Sequence, residues 1–202
     1  MNLKNTRERW GGVSQALHWL VALLILLQGP LGIVMVALPN SPDKIRLYAL
    51  HKSIGLTILA LAMLRLGWRL YAGAPAPLAD VPGWQQAAAR FSHRLLYVLL
   101  FAIPLSGWLF NSIAGFPLQW FGLFNLPAIA DADPALREFT GNLHLWLFWL
   151  LVAVTLVHVA AAIQHHLITR NATLTRMLPR GWLHPSNPSN TSKPSGKDTP
   201  NA

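Results

Sequence analysis

Eight histidines stand in a chain of 202 residues that has no cysteine. Two of them, His144 and His158, lie in one apolar stretch from Asn142 to His166, NLHLWLFWLLVAVTLVHVAAAIQHH. They are fourteen residues apart. At about 100° per residue that is nearly four helical turns, so both imidazoles point from one face, roughly 21 Å apart along the axis. Imidazole nitrogen binds metal ions, and ionisable side chains inside a membrane helix are uncommon and usually functional. Two on one face at two depths suggest axial ligands for two cofactors, one toward each membrane surface. Partner histidines at matching depths must then come from other helices.

The composition fits a membrane setting. Hydrophobic residues make up 53% of the chain and charged residues 11%, with a mean hydropathy of +0.37, a profile of a small polytopic membrane protein rather than a soluble domain. The absence of cysteine excludes disulfides, thiolate metal sites, iron–sulfur clusters and covalently attached c-type haem. The formal net charge of +9 raises the question of nucleic acid, but the positions of the cations answer it, because they gather at one side of a membrane. No nucleic-acid partner is expected; membrane lipid is.

Four spans are expected, at about 14–38, 45–71, 86–112 and 138–168. Residues 1–13 form a basic interfacial lead-in, and the hydrophobic run after it is too long for a cleavable signal. Ser14 is the expected N-cap of the first span, and Gly29-Pro30 an expected kink. The connection 113–137 has room for a short interfacial helix. Residues 182–202, rich in Ser, Asn, Pro and Thr, read as a disordered tail. The fold class is therefore an all-α membrane protein, a four-helix transmembrane bundle over residues 14–181. With the N-terminus inside, twelve of the sixteen Lys and Arg residues face the inner side and four (Lys44, Arg46, Lys52, Arg137) the outer, which puts both termini in the cytoplasm.

In that orientation His51 and His144 each lie about six residues into their spans from the outer side, the best-matched pair. On the inner side His18 and His158 match more loosely, and His93 competes for either place. Bis-histidine ligation of haem iron leaves no open coordination site and favours electron transfer over oxygen binding. Small residues near these histidines, Gly55 and Ala160 to Ala162, are expected to admit a flat porphyrin.

In these fragments and their order the chain resembles the bacterial cytochrome b561 family. The fragments are His18-Trp19, HKSIG from His51 to Gly55, LRLGWRL from Leu64 to Leu70, SHRLLY from Ser92 to Tyr97, PLSGW from Pro104 to Trp108, the His144/His158 pair, and LTRMLP from Leu174 to Pro179. The resemblance implies a multi-pass protein of the bacterial inner membrane with two haems b. It assigns His51 and His144 to the periplasmic-side haem and His18 and His158 to the cytoplasmic-side haem, and leaves His93 in support, as a propionate or quinone contact.

The same resemblance implies a superoxide oxidase that passes electrons to ubiquinone. Superoxide is an anion, and Lys52 and Arg46, with Lys44, are expected at the outer mouth near His51, where positive charge raises encounter rates; the bland reading of these cations is contact with lipid phosphates. The alternative function is a cytochrome b subunit linking a dehydrogenase or a periplasmic redox protein to the quinone pool.

Overall fold

A computed structural model describes residues 2–78, 81–179 and 182. Apart from Trp182, the expected disordered tail lies outside these residues, as do Asp80 and Arg180.

Four long helices carry the chain: α1 (Gly12–Ala37), α2 (Pro42–Ala72), α3 (Gly83–Ile113) and α4 (Pro134–Leu167). The shortest has 26 residues, about 39 Å at the α-helical rise and longer than the roughly 30 Å hydrocarbon core of a bilayer. All four are apolar enough to cross a membrane. Large apolar side chains such as Leu26, Val36, Met63, Phe91, Leu156 and Val157 point outward and are exposed, as lipid-facing positions must be when lipid rather than water is the solvent.

The helix boundaries follow local chemistry. In α2 the N-cap Ser41 accepts a hydrogen bond from the Lys44 amide, with Pro42 in the first turn and Asp43 beside the positive end of the helix dipole. Asp133 does the same for α4, accepting from the Ala135 amide at 2.8 Å, with Pro134 following. Gly73 at φ 71° ends α2 in a conformation that suits glycine. Helix α1 differs from the sequence expectation. It starts at Gly12 with Gly11 as N-cap, and Ser14 instead donates its hydroxyl to Asn5 Oδ1 at 2.7 Å. The helix runs unbroken through Pro30.

The connection between α3 and α4 is also different. In place of an interfacial helix it forms a small antiparallel hairpin, β1 (Leu118–Trp120) and β2 (Phe124–Leu126), with Leu118 opposite Leu126. Phe121 and Gly122 in the turn both have positive φ. Ser53 of α2 anchors the hairpin by accepting from the Phe121 amide at 2.9 Å, and Trp120 Nε1 donates to Thr57 Oγ1 at 3.1 Å.

Helices α1 and α2 pack closely, as do α3 and α4, and α2 meets α3 between the two pairs. Val21, Ile58, Ala62 and Leu100 form the core where α1, α2 and α3 converge, with Ala62 fully buried. Helix α4 makes no comparably close backbone approach to α1 or α2 among the described residues. The bundle thus has a hairpin end and a termini end. At the termini end the segment after α4 folds back under α1, where Gln15 Nε2 donates to the carbonyls of Arg176 and Leu178 and Trp19 Nε1 to that of Met177.

Candidate functional site

The gap between α4 and the α1–α2 pair is bridged by histidines at two levels. Near the hairpin end the rings of His51 (α2) and His144 (α4) have centres 6.3 Å apart. Near the termini end the rings of His18 (α1) and His158 (α4) have centres 6.4 Å apart. An imidazole nitrogen sits about 2 Å from a bound transition metal and about 1 Å from its own ring centre, so two rings on opposite sides of one ion have centres about 6 Å apart. Both pairs meet that separation, and the residues present therefore fit a bis-imidazole metal centre at each level. His93 of α3 also lies at the termini end, but its ring centre is only 5.4 Å from that of His158, short for a pair sharing one ion.

Side chains and glycines position these rings. His144 Nδ1 is 3.1 Å from the Ile103 carbonyl and 3.0 Å from Ser106 Oγ, and Ser106 Oγ itself donates to the Ile103 carbonyl. With Nδ1 so engaged, Nε2 is the nitrogen left for a metal. A Cβ on Gly107 would stand 3.0 Å from His144 Cε1, and one on Gly32 would stand 3.1 Å from His51 Cε1. These two glycines let α3 and α1 close on the histidine rings. A Cβ on Gly55, one turn after His51, would meet Gln28 Nε2 at 3.4 Å. Gln28 donates from Nε2 to the His51 carbonyl at 2.7 Å, and its Oε1 is buried without a partner. The Nδ1 atoms of His18 and His51 are likewise buried without a hydrogen bond among the described residues.

The cations expected to gather at the outer mouth go to separate partners. Lys44 Nζ donates to the Leu38 carbonyl at the end of α1, and Arg46 pairs with Asp43 at 3.1 Å on the exposed surface. Lys52 turns toward α3 and the hairpin, donating to Asn111 Oδ1 at 3.2 Å and the Pro117 carbonyl at 3.0 Å. Of the three, Lys52 alone is tied to the polar contacts beside the His51 level.

Reading by residue type alone passed over Gly32, Gly107, Ser106 and Gln28. The signal for the glycines is present, since Gly32 and Gly107 sit in apolar spans two and three residues after a proline, but which ring each glycine meets depends on helix rotation. No motif singles out Gln28.

The family described as prokaryotic cytochrome b561 matches residues 9–180. The chain is 39% identical over 186 residues to cytochrome b561 homolog 2 of Escherichia coli K12, covering 88% of this chain and 95% of that protein. It is 27% identical over 177 residues to cytochrome b561 homolog 1 of the same organism, covering 86% and 98%. With the probable superoxide oxidase CybB of Yersinia pestis it shares 28% identity over 173 residues, covering 86% and 97%.

Proposed function

We infer the function from one premise: the chain belongs to the prokaryotic cytochrome b561 family, haem b electron carriers that cross the bacterial inner membrane several times. Two haems b are held in bis-histidine pairs, His51 with His144 and His18 with His158. Haem b, when bound, supplies a one-electron couple at each level. The observation that carries this reading is the pair of ring separations, 6.3 and 6.4 Å, at two levels of one bundle.

Both termini are cytoplasmic, because cations concentrate at the termini end, and the hairpin end with His51 and His144 is periplasmic. The overall reaction is oxidation of superoxide at the periplasmic face and reduction of ubiquinone. Two superoxide anions become two molecules of dioxygen, and one ubiquinone takes the two electrons and two protons to become ubiquinol. The 28% identity to a probable superoxide oxidase supports this choice. So does Lys52, half-buried one residue after His51, a cation suited to attract a small anion. Asn111 and the Pro117 carbonyl orient its ammonium group. Arg46 is exposed and paired with Asp43, so its contribution is to the general field of the outer face.

Haem-loaded protein mixed with superoxide and a short-chain ubiquinone is expected to form ubiquinol at a rate above spontaneous dismutation. A rate no greater than that of the haem-free protein would reject superoxide as donor.

A further inference from the structure

Arg65 is a cation set inside the bundle without an anion. It lies on α2, partly buried, with its guanidinium carbon 5.5 Å from the centre of the Tyr97 ring. One turn on, Arg69 stands 5.5 Å from the Trp10 ring and 5.7 Å from the Tyr97 ring. Among the described residues Arg65 has neither a hydrogen bond nor a carboxylate partner, and the one ion pair, Asp43 with Arg46, is at the opposite end of α2. Trp68 Nε1, three residues on, is a buried donor that also lacks an acceptor. An unpaired guanidinium in apolar surroundings is costly, and such residues within membrane helices are characteristically functional.

The charge is placed asymmetrically. Arg65 stands fourteen residues after His51 on α2, as His158 stands fourteen after His144 on α4. It is therefore roughly 21 Å along the axis from the His51 level and at the depth of the termini-end pair. Its neighbour Tyr97 is one turn from His93, whose ring centre is 5.4 Å from that of His158. Lys52 is the cation beside the His51 level, held by Asn111 Oδ1 and, on the exposed side, by the Pro117 carbonyl, where solvent screens its charge. Both levels therefore have a cation nearby, but the one at the termini end is the guanidinium set among aromatic rings without a hydrogen bond among the described residues, and the less screened of the two. A fixed cation disfavours the oxidised, more positive form of a one-electron centre and favours the reduced form, the more so where the dielectric is low. If the cofactor's own carboxylates are drawn to Arg65 the sign is unchanged, since removing the guanidinium makes the surroundings more negative in either case.

We propose that Arg65 makes the haem held by His18 and His158 the better electron acceptor of the two, so that an electron entering at the His51/His144 level settles at the termini end. The transfer oxidises the first centre by one electron and reduces the second by one. This rests on the two-haem reading above. Arg65 is a tuning residue here; it is asked neither to ligate iron nor to touch the electron donor.

The test is a potentiometric titration, followed by the reduced-minus-oxidised spectrum, of the full chain purified in detergent. The variants are Arg65→Gln, Arg65→Lys and, as a control, Arg90→Gln, which removes an exposed cation near the same end of α3. The native protein is expected to titrate in two waves. In Arg65→Gln the upper wave falls by about tenfold in its equilibrium constant or more, which is about 59 mV for a one-electron couple. The lower wave stays in place, and Arg65→Lys and Arg90→Gln stay near native. An unmoved upper wave in Arg65→Gln with both haems present overturns the proposal, as does an equal shift in Arg90→Gln. If Arg65→Gln loses one haem, Arg65→Lys decides: both haems with the upper wave near native support the proposal, and a lost haem or a fallen upper wave in Arg65→Lys overturns it. A native protein with a single haem would instead overturn the two-haem reading on which this one stands.

Discussion

Replacing Gly107 by alanine is the most informative small change in the bundle. The new methyl carbon stands 3.0 Å from Cε1 and 3.3 Å from Nδ1 of His144, whereas unstrained carbon contacts lie at about 3.5–4.0 Å. The ring must yield by about half an ångström, and it is not free to do so. Its Nδ1 is held by the Ile103 carbonyl at 3.1 Å and Ser106 Oγ at 3.0 Å. Overpacking of this kind costs about 1–3 kcal/mol, and loss of the Nδ1 hydrogen bond about 1 kcal/mol. Alanine also gains about 1 kcal/mol of helix propensity over glycine, but that gain belongs to α3 with or without a cofactor. The loss of about 2–4 kcal/mol therefore falls on haem affinity at the hairpin end, about 30- to 900-fold, while the helices stay folded. Gly32→Ala is the internal comparison. Its methyl would stand 3.1 Å from His51 Cε1, but His51 Nδ1 has no hydrogen bond to lose, so the ring can turn and the loss is smaller. The assay is the rate of haem transfer from each variant to excess apomyoglobin, with circular dichroism as the check on folding. Release from Gly107→Ala at the native rate, or faster release from Gly32→Ala than from Gly107→Ala, would refute the reasoning.

Two further outcomes follow from the same contacts. Lys52→Gln is expected to slow superoxide-dependent ubiquinone reduction several-fold at low salt and to flatten its dependence on ionic strength, because the attracting charge is gone; an unchanged salt slope would remove Lys52 from the electrostatic account. Gln15→Leu deletes the Nε2 hydrogen bonds to the carbonyls of Trp10, Arg176 and Leu178, weakening the fold-back of residues 171–178 by about 1–3 kcal/mol. Limited trypsin digestion in detergent should then cut after Arg170 and Arg176 faster than in the native protein, and equal rates would place the hold on this segment elsewhere.

How much of this was legible without coordinates depended on whether a property is local to one helix. The four apolar runs were readable because lipid-facing helices need length and hydrophobicity along their whole course. The shared face of His144 and His158 was readable because fourteen residues nearly complete four turns. Matching depths also paired His51 with His144, whose ring centres stand 6.3 Å apart. The inner pairing stayed open, because depth along the membrane normal leaves rotation and helix adjacency undetermined; hence the rivalry of His93, whose ring lies 5.4 Å from that of His158. The glycines that meet the histidine rings were hidden for the same reason. It is Gly32, on another helix, whose Cβ would meet the His51 ring. The hairpin escaped because its strands have three residues each, too short for a period, and its stability comes from Ser53 and Thr57 of α2. The gathering of Lys44, Arg46 and Lys52 was inferred from proximity in sequence, while their hydrogen bonds lead to the end of α1, to Asp43 and to α3 with the hairpin.

The central claim is that one bundle holds two bis-histidine haem sites, His51 with His144 and His18 with His158. Haem per chain on the detergent-purified protein, by pyridine haemochrome with a reduced-minus-oxidised spectrum, tests it most directly. Two haems b per chain with low-spin bands is the predicted result. One haem per chain, or a high-spin spectrum marking an open coordination site, would contradict it.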